Sequence, residues 1–350
     1  MTTRPKVQPW QSQVRSLRLS IIVTSVVPAL LAAGVLLLTQ WDFSIVLLGV
    51  FLPLQLIFGG FLGARTFGRR GLADAIMMVG AVFLFAMVFV LLLSVLVSVI
   101  TTGMSAMSPQ FIYQNNRYVN TTTSLDFGGV GHAILGTLEI VLLASVIAVP
   151  LGIALAVYLT QSRAKHLAVI RTIVQALAGL PSIVSGLFIL AFMHFVNLSA
   201  SGFTGALALF PLMLPTVARV AEESLKLVPA DLRMGALALG SPNYRAFFRV
   251  ILPAAKTGIV TAILLGLARV IGETAPLLLT TTVSNVTNLN VFSGAIATLP
   301  TYIYSFLGSS YDVSQARAWG GALVLLALVA ILFVAARVLT RKKSSKRKSQ

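Results

Sequence analysis

Residues 229–253 read PADLRMGALALGSPNYRAFFRVILP. This stretch lies between two long apolar runs and is too structured for a plain connector. Asp231 to Leu239 has helix-forming composition and stops at Gly240, a residue suited to the left-handed position just past a helix. Ser241 then offers an N-cap and Pro242 fits the first helical position, so a second helix starts at once. It runs through Tyr244, Phe247 and Phe248 to a stop at Pro253. The spacing predicts a short helix, a sharp glycine turn and another helix. Gly235, Ala236 and Gly240 permit close backbone approach, and the phenylalanines offer an apolar face. Such a protrusion suits a groove in a partner protein. A helix lying on the lipid surface is the alternative.

The flanking runs set the class of protein. Of the 350 residues, 57% are hydrophobic and 10% charged, and the mean hydropathy is +0.94. Soluble domains carry roughly a quarter of their residues as charges, so this composition cannot cover a soluble surface. A spanning helix needs about 20 apolar residues, and in lipid its backbone must be satisfied internally. Eight segments qualify: 20–40, 43–63, 73–100, 133–159, 168–196, 203–221, 256–281 and 317–339. The expected fold is therefore an all-α integral membrane protein. The apolar stretch from Leu19 to Trp41 exceeds a secretory core of roughly 7–15 residues, which predicts a retained first span.

The net charge of +17 has a topological reading, because basic residues collect on the cytoplasmic side. Arg65, Arg69 and Arg70, then Arg163 and Lys165, then Lys226, Arg233, Arg245 and Arg249 fall in one set of connections. The alternate set is nearly free of lysine and arginine: 101–132 holds only Arg117, and Arg317 stands at the edge of 282–316. An even number of spans puts both termini on the cytoplasmic side, in agreement with the loop charges. The tail RKKSSKRKSQ reads as an anchor with attraction to anionic lipid, not as a nucleic-acid arm. Segments 101–132 and 282–316 are docking surfaces or solvated linkers on composition alone. The expected organisation is an N-terminal arm over 1–18, two additional helices over 19–71 and a six-helix core over 72–340. The core contains the loop 222–255, and a basic tail covers 341–350. Cysteine is absent and the histidines make no metal-ligand spacing. No nucleophile–base or metal constellation marks an enzyme, and no cofactor is expected.

A second stretch, ARVIGETAPLLL over 268–279, puts two charges inside an apolar run. At a helix centre each costs roughly 2.5–3.5 kcal/mol, so an inward-facing, paired or functional role is expected. Arg269 and Glu273 are four apart, hence on one face of a continuous helix. That face continues through Ala262, Gly266, Pro276 and Thr280, a small-and-polar stripe expected to face a substrate path or a partner subunit. A buried ion pair that only orients helices is the alternative. Glu139, near the outer end of the fourth span, is a weaker candidate. Prolines and glycines interrupt the fifth, sixth and seventh spans (Gly179, Pro181, Gly186, Pro211, Pro215, Pro276), as in helices lining a substrate path; kinks that improve packing are the alternative.

The loop resembles the EAA loop of ABC importer permeases, where Glu-Ala-Ala precedes a glycine by three residues and Ile-x-Leu-Pro follows nine later. Here Met234-Gly235-Ala236, Gly240 and Val250-Ile251-Leu252-Pro253 keep that spacing, with Met234 and Gly235 in place of the usual Glu-Ala. Within that family, LARVIGETAPLLL is similar to the phosphate-importer permeases. So are FGGVGHAILGTLEIV (127–141), VPLGIALAVYLTQ (149–161) and LAGLPSIVSGLF (177–188). The resemblance implies half of a transmembrane pathway for phosphate. Arg269, Glu273 and Thr274 would lie on the path, and Arg233, Gly235, Ala236, Gly240, Leu252 and Pro253 would couple to an ATPase. Glu222 and Glu223 could pair with Arg233 or with that ATPase. The implied partners are a PstC-type second permease, two PstB-type ATPases and a PstS-type phosphate-binding protein. The chain has no Walker A pattern, so ATP hydrolysis belongs elsewhere. The same architecture serving molybdate or sulfate is a rival. A self-contained secondary transporter is another, and it leaves the helix–glycine–helix loop unexplained.

Overall fold

The computed structural model describes residues 26–39, 42–162 and 164–340. Among these residues all regular structure is helical. The chain divides into two compact units, Met1–Val97 and Ser98–Gln350. The first holds α1 (Val26–Thr39), α2 (Leu47–Arg65) and most of α3 (Gly68–Ala106). The ARTFGRRG segment is a hairpin turn: Gly68 takes φ +65°, and the chain folds back so that Gly59 and Gly60 meet Val79 and Leu72. The rest of the first expected span, 20–25 and 40, falls outside the described residues, as do the N-terminal arm and the basic tail.

In the second unit the helices are α4 (Pro109–Tyr113), α5 (Gly131–Gln161), α6 (Leu167–Ala178), α7 (Ser182–Phe195) and α8 (Gly202–Lys226). They continue as α9 (Ala230–Ala238), α10 (Asn243–Ala254), α11 (Lys256–Ile271), α12 (Ala275–Thr280), α13 (Leu299–Leu307) and α14 (Asp312–Thr340). Five helices are long and apolar enough to cross a membrane: α2, α3, α5, α8 and α14. Two bent pairs, α6–α7 and α10–α11, raise that to as many as seven.

Helix α8 is the hub of this unit. Leu209, Leu212, Met213, Val217 and Ala218 on it are fully buried, packed with Ile140 and Ala144 of α5 and Val270 of α11. Lipid supplies no hydrophobic force between helices, so association rests on close van der Waals fit and small residues. Val217 shows the device. A Cβ at Gly152 of α5 would sit 3.0 Å from its side chain, and one at Gly266 of α11 would sit 2.6 Å from it. Two glycines thus let α5 and α11 close on α8 from either side.

Two expected spans are not continuous. Segment 168–196 breaks between Ala178 and Ser182, where α6 and α7 meet at 100°. In a continuous helix Pro181 would donate no N–H and its ring would clash with the carbonyl four residues back, and proline also biases Leu180 away from helix. Segment 256–281 breaks at Gly272–Thr274. There Pro276 disrupts the turn reaching back to Gly272, and the helix restarts with proline in its first turn.

Candidate translocation path and coupling element

The protrusion forms a helix–glycine–helix unit. α9 ends in a Schellman motif: the Gly240 N–H bonds the Leu237 carbonyl at 2.9 Å, and the Ser241 N–H bonds the Ala236 carbonyl at 3.1 Å. Gly240 takes φ +79°, a conformation open to glycine at little cost. Two details differ from the sequence reading. The N-cap of α10 is Pro242, with no side-chain cap, so Ser241 closes α9 instead of opening α10. The second helix runs one residue past Pro253, after a single π-turn over Phe247–Ile251. Pro253 would clash with the carbonyl of Arg249 in a regular helix, and the wider turn relieves that. The axis then swings by 68° into α11.

The two phenylalanines do not share one outward face. Phe247 is buried with Ile251, Ala255 and Leu225, whereas Phe248 and Tyr244 are exposed. The outward apolar surface of α9 comes from Leu232, Met234 and Leu239, with Leu239 90% exposed. A Cβ at Gly235 or Gly240 would meet nothing within 4 Å, so both lie on the open side of the element. Leu252 and Pro253 form the hinge with Ala255.

Glu222 and Glu223 do not reach Arg233. Glu222 is buried, 2.9 Å from Arg171 and 2.6 Å from Lys226. The Arg171 guanidinium also donates to the Leu159 carbonyl at 3.0 Å. One carboxylate therefore ties the start of α6 and the end of α5 to α8 below the protrusion. Glu223 pairs with Arg219 along the helix surface. Sequence reasoning missed this clamp because Arg171 lies 51 residues from its partner.

At the broken seventh span the i,i+4 geometry fails. α11 stops at Ile271, and Glu273 sits beyond it, its N–H bonding the Val270 carbonyl in a turn. Among the described residues no ion pair joins Arg269 to Glu273. Arg269 instead donates Nε–H to the Leu212 carbonyl at 3.2 Å. Leu212 lies near the middle of α8, so the guanidinium is held at mid-depth of that helix, while the residue is exposed on the outside of the chain. Glu273 and Thr274 are half-buried at the break.

The stripe also divides. Ala262 and Gly266 pack inward on α8, and Pro276 and Thr280 are buried. Of the stripe only Arg269 is exposed. α12 packs on the other broken element: a Cβ at Gly186 of α7 would lie 2.7 Å from Pro276 Cα. The two interrupted spans thus meet at Pro276, just past the break that holds Glu273. Glu139 is half-buried on α5.

Residues 148–345 match the family of binding-protein-dependent transport system inner membrane components. The phosphate transport system permease protein PstA 1 of Mycobacterium tuberculosis (strain CDC 1551 / Oshkosh) is 44% identical over 214 residues, covering 61% of this chain and 70% of that protein. PstA of Yersinia pestis is 39% identical over 254 residues, covering 72% and 84%. A chain of the MetNI methionine ABC transporter is similar at 22% identity and a TM-score of 0.48, over 67% of this chain and all of that one. This chain belongs to the PstA family of multi-pass transport permeases, within the binding-protein-dependent inner membrane components.

Proposed function

We propose that this chain is one of two permease subunits of an ATP-driven phosphate importer and forms half of its transmembrane pathway. The observation that carries this reading is Arg269: a guanidinium at mid-depth, exposed and, among the described residues, in no ion pair, beside a break in the helix. A charge in that position is too costly to leave against lipid, so it faces water or the second permease. Its free donors suit phosphate oxygens. Glu273, freed from the ion pair, can accept a hydrogen bond from a protonated phosphate oxygen, which sulfate lacks. Thr274 adds a hydroxyl at the same break. The four PstA-like stretches and the relatives named above support phosphate as substrate.

The assembly would comprise a PstC-type permease, two PstB-type ATPases and a PstS-type binding protein. The α9–α10 element would seat in the ATPase through Leu239, Met234 and Tyr244, with Arg233, Gly235 and Ala236 at the contact. Met234 would supply packing where relatives of this loop pattern carry glutamate. ATP-driven closure would pull on α10, and the Ala255 hinge would convey this to α11 and Arg269 as one side of the path opens. Both termini would be cytoplasmic, with residues 19–71 an addition to a six-helix core.

The test is radiolabelled phosphate uptake in cells lacking and then regaining the chain, with excess sulfate and molybdate as competitors. Uptake that depends on the chain and ignores both competitors is expected. Uptake indifferent to the chain defeats the substrate assignment, and strong competition by molybdate or sulfate moves it to another oxyanion.

A further inference from the structure

The segment before α5 was open between linker and docking surface on composition, and it has a built shape. A cavity of about 610 Å³ opens among Tyr113, Gln114, Arg117, Tyr118, Thr123 and Phe127. Its walls are held from behind by buried polar groups. Gln114 Oε1 accepts the Gly128 N–H at 3.0 Å, and Asn116 Oδ1 accepts the Gly129 N–H at 3.0 Å. The Asn116 N–H bonds the Asn285 carbonyl at 2.9 Å, which joins 101–132 to 282–316. Arg317 is fully buried at the start of α14 and donates to the carbonyls of Thr123 and Ser124 at 3.1 and 2.6 Å. Added side chains at Gly128 or Gly129 would collide with Val119 or with the α4 backbone, so the FGGVG run is pinned against α4.

The surface of this rigid cup is unlike its frame. Tyr113, Tyr118 and Phe127 are exposed, Tyr118 at 87%. Arg117 is exposed as well, and it is the sole lysine or arginine in 101–132, with none in 282–316 up to Ala316. The nearby Asp126 accepts a hydrogen bond from the Ser124 hydroxyl. Exposed tyrosine, phenylalanine and arginine on a preorganised support are the ingredients of an interface anchor, since little ordering entropy is lost on binding.

We infer that this cavity is the seat for a carboxylate-bearing loop of the extracytoplasmic binding protein, with Arg117 taking the carboxylate and the three aromatic rings enclosing its apolar neighbours. The inference rests on the transporter reading above. A single exposed cation gives a small free anion little affinity in water, and the cavity is far larger than phosphate, so a protein loop is the better occupant. Because Thr123 both lines the cavity and holds Arg317, occupancy bears directly on the start of α14.

The test uses the complete transporter in lipid nanodiscs and measures Kd for the purified phosphate-binding protein. Arg117→Glu and Tyr118→Ala should each weaken docking by roughly tenfold or more. Tyr118→Phe should keep wild-type docking, and Arg117→Gln should flatten the salt dependence. Phe292→Ala, exposed on the companion segment, should change nothing. Unchanged docking in Arg117→Glu and Tyr118→Ala overturns the seat while leaving the transporter reading intact. Failure of the wild type to dock at all overturns that reading too. Radiolabelled phosphate that binds without the protein and is lost in Arg117→Glu, with docking unaltered, would make the cavity an anion site and overturn the protein seat.

Discussion

The α9–α10 protrusion and the segment around α4 are built on opposite plans. The protrusion shows apolar side chains outward, Leu239 and Met234 foremost, and its shape is closed by hydrogen bonds between near neighbours. The α4 region hides polar side chains, Asn116 and Arg317 among them, and its shape depends on partners up to 194 residues away. One element makes its own geometry and leaves its surface for another protein. The other spends long-range polar contacts on rigidity. Substitutions should separate the two: stability should suffer around α4 and function at the protrusion.

The largest loss of stability is expected at Arg317. Truncation to alanine would take the donor from the Thr123 and Ser124 carbonyls and leave a void where the fully buried side chain stood, costing about 3 kcal/mol. Thermal melting of the detergent-solubilised chain should fall by many degrees. A melt equal to wild type would mean the buried guanidinium contributes no net stability, which is conceivable only if its desolvation cancels its bonds.

At the path, Arg269→Gln should leave folding intact, since the residue is exposed and donates one hydrogen bond. Phosphate uptake should nonetheless drop by about tenfold or more, on the scale of a lost charge-assisted contact. Glu273→Gln should reduce uptake less, and its effect should not vanish in the Arg269→Gln background, because the two make no ion pair in the chain. Equal effects that fail to add would restore the paired reading.

These outcomes bear on what a sequence can disclose. The helix–glycine–helix unit was legible because Gly240 and its bonding partners lie within five residues of one another. The spans were legible from run length. Pro181 and Pro276 flagged the interruptions at 179–181 and 272–274 but not their extent: in a membrane both sides of a break stay apolar, so each run still reads as one kinked helix and not as two separate ones. The i,i+4 pairing of Arg269 and Glu273 followed from that mistaken continuity. The α4 frame was illegible for another reason. Asn, Ser, Thr and Gly compose both loops and rigid polar networks, and only the fold brings Arg317 to Thr123.

Gly240→Ala tests the protrusion's geometry. An L-residue in the left-handed region costs about 1 kcal/mol, and the site is open, so no collision adds to it. A slight fall in melting temperature is expected, with a larger fall in transport-coupled ATP hydrolysis by the assembled complex. Leu239→Ala should cost less than about 0.5 kcal/mol of stability, as surface changes do, yet weaken copurification of the ATPase. Lower stability with undiminished copurification would place that leucine against lipid.

The smallest effect is expected at Ser241, where the sequence and the structure disagree outright. As an N-cap, its loss to alanine would cost about 1 kcal/mol. In the structure its backbone N–H closes α9 and its side chain caps nothing, while Pro242 occupies the capping position. Alanine keeps the N–H and therefore the Schellman bond to Ala236. Ser241→Ala should melt with the wild type and support wild-type uptake. A clear loss would show that α10 begins at Ser241 after all, and the division of labour between Gly240 and its neighbour would have to be redrawn.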